Sequence, residues 1–270
     1  MKVNMCLWAV VALGLVASHS SGQTPAAPVA SSSGMVSITG GPFRMGWPSQ
    51  LITVKSFRMD RTEVTVRQYE ACVAAGKCKA PRAPDNCNWE LRQWRQDHPI
   101  NCVTYANAFN YCKWAGKRLP TEEEWEYAAT GGGPAGPGPM QYPWGTAAPK
   151  YRACWGGNPY RHRTPATKRG KAPPRVSHPA WRPADTCQAG KFAAGAWGLK
   201  DMAGGVWELT ASGYRGSDGA LVPNTRVLRG GSWREADADA LKTQGPLNGP
   251  HRKKHRLGRT WAGVGFRCVK

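Results

Sequence analysis

The chain has 270 residues, with 37 Lys and Arg against 17 Asp and Glu, and 13 Trp, 32 Gly, 22 Pro and 9 Cys. So many large aromatic side chains exclude a disordered chain, which lacks the apolar area to offset ordering, and the Gly and Pro counts exclude long helical bundles, because both residues interrupt helices. A net charge of +20 and a pI near 9.9 point to an anionic partner or surface and say nothing about fold.

Lys2 followed by the apolar run from Leu7 to Ala17 has the length and polarity of a secretory signal and is too short to span a bilayer as a helix. Residues 1–22 are therefore expected to be a signal peptide, residues 23–34 a flexible linker of Pro and small residues, and residues 35–270 one domain. The mature protein is expected to be secreted or periplasmic, with no transmembrane segment after signal removal. Cys6 precedes the apolar run and so cannot be a lipid-bearing cysteine. Losing Lys2 and Cys6 leaves 36 basic against 17 acidic residues, a charge of +19, and eight cysteines.

Short strands are expected at 35–39, 43–45 and 52–59. A helix opens at Thr65, where Gln68 completes a capping box; Val66, Tyr69 and Val73 repeat at helical spacing before Gly76 ends it. A second helix opens at Thr104, runs through Tyr105, Ala108, Phe109 and Cys112, and closes at Gly116. Pro120, Thr121 and Glu124 open a third, which ends at Gly131, with Glu122, Glu123 and Glu124 at the positive end of its dipole. Further strands are expected at 206–210, 226–229 and 264–269. Strands at both ends and helices in the middle make an α+β domain the expected class.

Eight cysteines in an oxidising compartment suggest four disulfides, and spacing alone allows 105 pairings. Locality narrows them. Cys72 and Cys78 bracket a helix end, Cys87 and Cys102 bracket a Trp- and Arg-rich insertion, and Cys154 and Cys187 bracket the most basic stretch. Cys112 and Cys268 remain as a long-range closure. No Cys-x-x-Cys pair supports zinc.

Between Arg161 and Arg182 there are seven Lys or Arg and no acid, and between Arg252 and Arg259 five more. These two segments could face a polyanion with strong salt dependence, or form solvated loops. His251 and His255 form a near pair in an HRKKH setting, too cationic to favour a divalent metal, and are expected in an exposed basic loop.

The stretches RTEVTVRQY, NCVTYANAFNYCKWAGKRLPTEEEWEYAATGG, YPWG, GLKDMAGGVWEL, RVLRGGSW and GVGFRC occur in the order found in the formylglycine-generating enzyme (sulfatase-modifying factor) family. From about Met35 to Cys268 the sequence resembles one such domain. The resemblance implies a compact α+β domain related to the C-type-lectin-like fold, with modest regular secondary structure and a Cys112–Cys268 disulfide. It also implies bound calcium, held at the positions matching Asp201, the carbonyls of Gly204 and Val206, and Glu208, a hard-oxygen set suited to Ca²⁺. Gly205 stands where the family usually has Asn, and a second calcium site is not expected because its matching position, Ala153, offers no side-chain ligand.

Catalytic members oxidise a sulfatase cysteine to formylglycine with copper(I) held by two cysteines, soft ligands that Cu(I) prefers. The matching positions here are Glu235 and Ala240, so copper is not expected. The resemblance thus implies a secreted, disulfide-braced, calcium-stabilised domain, monomeric and without oxidase chemistry, that acts by binding a peptide, glycan or envelope component. Two alternatives stand beside it: an oxidoreductase of the family converting a protein cysteine to formylglycine or a related product, and a polyanion-binding envelope protein.

Overall fold

The computed structural model describes residues 34–46, 50–81, 87–132, 141–157, 186–246 and 248–270. The expected signal peptide, most of the linker and the stretch from Arg161 to Arg182 lie outside the described residues.

Three α-helices form where the capping residues place them: α1 (Val66–Ala74), α2 (Tyr105–Trp114) and α3 (Glu122–Thr130). Each begins with a complete capping box, Thr65 with Gln68, Thr104 with Asn107 and Thr121 with Glu124, so two of the orphan amide groups at each N-terminus are satisfied reciprocally. Glu124 also binds Arg118 through both carboxylate oxygens, at 2.6 and 2.7 Å. α1 and α2 meet through Tyr69 and Tyr111, stacked at 5.7 Å, and the Phe266 ring packs edge-on against both.

Among the described residues the strands form three sheets, two antiparallel and one mixed. β1 (Met35–Ile38) pairs with β4 (Phe57–Asp60), and β2 (Gly41–Met45) pairs with β3 (Gln50–Val54). The single strand expected at 52–59 is therefore two strands. The break falls at Lys55 and Ser56, where Gly40 crosses so closely that a Cβ there would lie 2.3 Å from the Val54 carbonyl oxygen, and the Gly40 amide donates to Ser56 Oγ. The third sheet has the order β7-β6-β5-β8, from β5 (Trp207–Leu209), β6 (Thr225–Arg229), β7 (Arg252–Arg256) and β8 (Val264–Gly265), with β5 and β8 parallel. β8 is shorter than the strand expected at 264–269. Beyond it the chain hydrogen-bonds irregularly to both Arg58 and Arg118, which ties the C-terminal residues to β4 and to the entrance of α3.

Hydrophobic residues gather in two clusters. One joins α1 and α2 to Trp207, Leu209, Leu228 and Val264 of the four-stranded sheet; the other joins α3 to β1, β2 and β4 and includes Trp125, Phe43 and Met59. Four disulfides link Cys72 to Cys78, Cys87 to Cys102, Cys112 to Cys268 and Cys154 to Cys187. The domain is α+β, and no described helix is long and apolar enough to cross a membrane.

Candidate functional site

The RVLRGGSW motif carries the chain out of β6 into a tight turn. Gly231 has φ +76°, and a Cβ there would approach the Ala240 carbonyl oxygen to 2.8 Å, so only glycine lets the two segments touch. The turn delivers Ser232 and Glu235 to one end of the four-stranded sheet. There Glu235 Oε1 accepts from Trp207 Nε1 at 2.7 Å and from Lys253 Nζ at 2.9 Å, with Ser232 Oγ at 3.5 Å. The Lys253 ammonium lies 4.8 Å from the Trp207 ring centroid and 5.3 Å from that of Trp261. β5, β7 and the turn before β8 thus converge on one ion pair between two indoles. Ala240 is buried in the helical turn Ala238–Leu241, with its carbonyl oxygen against Gly231.

This arrangement does not fit copper(I). Residue 235 offers a hard carboxylate already engaged by two strong donors, residue 240 offers a methyl group, and every described cysteine is in a disulfide.

The expected calcium positions lie on the other side of β5. Asp201 has φ +55° and its carboxylate accepts from the Gly190 amide; Glu208 is fully buried and accepts from Trp125 Nε1 at 2.8 Å. Both Glu208 oxygens also take Arg267, each at 2.7 Å. A third carboxylate, Glu63, was not singled out from the sequence. It is buried, and its Oε1 accepts the Val206 amide at 2.9 Å from the space that a side chain at Gly205 would fill, 2.1 Å from the ideal Cβ. Burial, with the charges of Asp201 and Glu208, pushes the Glu63 carboxyl well above its usual range, and burial raises Asp201 as well. Glu63, Asp201 and Glu208 thus lie within electrostatic reach of Arg267, with Lys200 also acting on Asp201, and a cation binding here would have to share Glu208 with the Arg267 guanidinium that already holds both its oxygens. Among the described residues no three His, Cys, Asp or Glu side chains converge as a preformed metal cage, so such an ion would need carbonyl oxygens for much of its shell.

The HRKKH segment differs from expectation: it is the edge strand β7 rather than a loop, and His251, Arg252 and His255 are buried. The reason lies on α3. Arg252 binds both oxygens of Glu122, and Arg229 bridges Glu122 and Glu126 at 2.9 Å each, so a four-membered ion-pair network fills the junction between helix and sheet. Burial and then the neighbouring Arg229 charge depress His251 to about 3. His255 Nε2 contacts the Arg259 carbonyl at 3.1 Å, and Lys254, Arg256 and Arg259 are the exposed members of the segment.

A family model described as "Sulfatase-modifying factor enzyme 1-like domain" matches residues 20–270. A bovine (Bos taurus) protein named "Inactive C-alpha-formylglycine-generating enzyme 2" is 29% identical, covering 87% of each chain. The "Formylglycine-generating enzyme" of Mycobacterium tuberculosis is 30% identical over 67% of this chain and 74% of its own. Among solved structures, PvdO from Pseudomonas aeruginosa superposes with a TM-score of 0.61 at 24% identity, covering 87% of this chain and 93% of its own. The chain therefore belongs to the sulfatase-modifying factor enzyme 1-like domain family.

Proposed function

We propose that this is an extracytoplasmic, calcium-stabilised binding module of its family that does not carry out copper-dependent cysteine oxidation. The observation that carries the reading is what stands at the two expected thiolate positions: Glu235, held in an ion pair with Lys253, and Ala240, which offers only a buried methyl. A carboxylate neutralised by an ammonium cannot replace a pair of soft thiolates. The four disulfides support an oxidising compartment.

Incubation with a Cys-x-Pro-x-Arg peptide, copper and reductant is expected to leave the cysteine intact by mass spectrometry; formylglycine in the product would sink the reading. Calcium is tested separately. At free Ca²⁺ about a hundredfold above its Kd, the unfolding free energy should rise by about 2.7 kcal/mol, chelation by EGTA should reverse this, and D201A, which removes the side-chain oxygen, should abolish it. An EGTA melt identical to the calcium melt would remove calcium from the proposal.

A further inference from the structure

We infer that the Glu235–Lys253 pair is a recognition site for a vicinal diol, of the kind a pyranose ring presents; this rests on the reading of the domain as a binding module and names its ligand class. Glu235 uses Oε1 for its hydrogen bonds to Trp207, Ser232 and Lys253, while among the described residues none donates to Oε2, which is not among the polar atoms sealed from solvent. Lys253 Nζ makes its one hydrogen bond to Glu235, and its side chain keeps 34% of its surface exposed against 15% for Glu235. An unused acceptor, Oε2, thus adjoins a partly exposed donor, Lys253 Nζ, that is held 2.9 Å from the other oxygen of the same carboxylate.

Gauche neighbouring hydroxyls on a sugar ring place two oxygens about one hydrogen-bond length apart. One hydroxyl can donate to Glu235 Oε2 while its neighbour accepts from Lys253 Nζ. Both protein groups are ionised, so both bonds are of the stronger, charge-assisted kind. The geometry is held in advance. Trp207 Nε1 fixes the carboxylate, and the Trp207 and Trp261 rings flank the ammonium, which limits the side-chain entropy lost on binding. Trp261 is only partly buried and offers an aromatic wall to the C–H face of a ring. A free carboxylate or phosphate would be repelled by Glu235, and a cation by Lys253, so a neutral hydroxylated ligand suits the pair best.

The test uses the full domain with ¹⁵N-labelled tryptophan, titrated with methyl α-mannoside, methyl α-glucoside and methyl α-galactoside. At least one is expected to shift the Trp207 and Trp261 indole signals saturably, with a Kd of about 1 to 10 mM. Tetrahydropyran-2-methanol, which keeps the ring and lacks the diol, should shift neither. K253M and E235Q should each weaken binding at least tenfold while the other indole signals stay in place; if K253M loses its dispersed spectrum, E235Q alone decides. The response should persist in EGTA, which separates it from a calcium-held sugar. No saturable shift with any of the three glycosides, an undiminished response in E235Q, a response abolished by EGTA, or a response confined to peptides would each overturn the inference. Formylglycine formation in the peptide assay would instead strike the non-oxidising reading, so the two failures are told apart.

Discussion

Replacing Arg229 by Met is expected to lower the unfolding free energy at pH 7 by about 3 to 5 kcal/mol, the cost of leaving a buried charge without its partner. Arg229 and Glu126 are each 1% exposed at the side chain, and Glu122 only 6%. In the native domain two arginines, Arg229 and Arg252, balance two glutamates. Burial alone would raise Glu122, but Arg229 and Arg252 hold it below its ordinary value; Glu126, which has only Arg229, stays raised because burial outweighs its partner. R229M therefore strands Glu126 first. It also removes the donor to the Thr243 carbonyl and the guanidinium that lies 5.0 Å from the Trp125 ring centroid. Met keeps most of the aliphatic volume, so the loss reports charge more than packing. The double variant R229M/E126Q should recover most of the stability, because the Gln oxygen can still accept the Gly46 amide, which donates to Glu126 at 2.9 Å in the native domain. Lowering the pH toward the ordinary carboxylate range should also narrow the gap between R229M and the parent. A carboxyl whose folded pKa is raised stabilises the fold when protonated and loses that contribution as pH rises. Urea midpoints of the three proteins across pH check both statements, and an R229M loss below about 1 kcal/mol would show that the network is not what holds helix to sheet.

The same network marks where sequence reading stops. The three helices were legible because their starts are local chemistry: Thr65, Thr104 and Thr121 each cap within three residues. Glu122 was legible only as a favourable charge at a helix N-terminus. Its burial against Arg229 and Arg252 depends on strands that lie more than 100 residues later in the chain. β7 was hidden for the complementary reason. Lys and Arg have low strand propensity and no apolar alternation, and the inward positions of RKKHR carry charge because carboxylates on α3 and at Glu235 await them. The break in the strand at 52–59 was equally invisible, since it is imposed by the approach of Gly40.

At the candidate site the sequence identified what is missing and not what replaces it. Counting from Ser232 located Glu235 and Ala240, but no spacing rule connects Glu235 with Trp207, Trp261 or Lys253, which come from three separate strands and turns. Lys253 appeared as one charge among five in a basic run. The structure separates that run by burial: Arg252 and His255 are buried, Lys254 and Arg256 are exposed, and Lys253 lies against the Trp207 and Trp261 rings. Glu63 was likewise read only as part of a motif, although burial and the charges of Asp201 and Glu208 push its carboxyl well above the usual range.

Removing the Cys112–Cys268 disulfide as C112A/C268A is expected to cost about twice as much as removing Cys72–Cys78. The two bridges span 156 and 6 residues. In the chain-entropy account the long loop is worth about 5 kcal/mol and the short one about 2 kcal/mol. The Cys154–Cys187 bridge lies inside the long loop and shortens its effective path, but because the dependence is logarithmic the correction is only about 0.2 kcal/mol. Packing moves the result the same way. Cys112 and Cys268 are both fully buried in the cluster that holds Tyr69, Tyr111 and Phe266, whereas Cys78 lies at its edge. Arg267, next to Cys268, binds both oxygens of Glu208 and also donates to the Asp60, Arg61, Lys200 and Asp201 carbonyls. Loosening the C-terminal segment should therefore unsettle the buried carboxylates around Asp201 as well as the core. Hydrogen exchange should show early opening at Asp60, Glu208 and Arg267 in C112A/C268A, with little change there in C72A/C78A. Equal denaturation midpoints for the two variants would contradict this account, because the stabilisation would then not follow the length of chain each bridge closes.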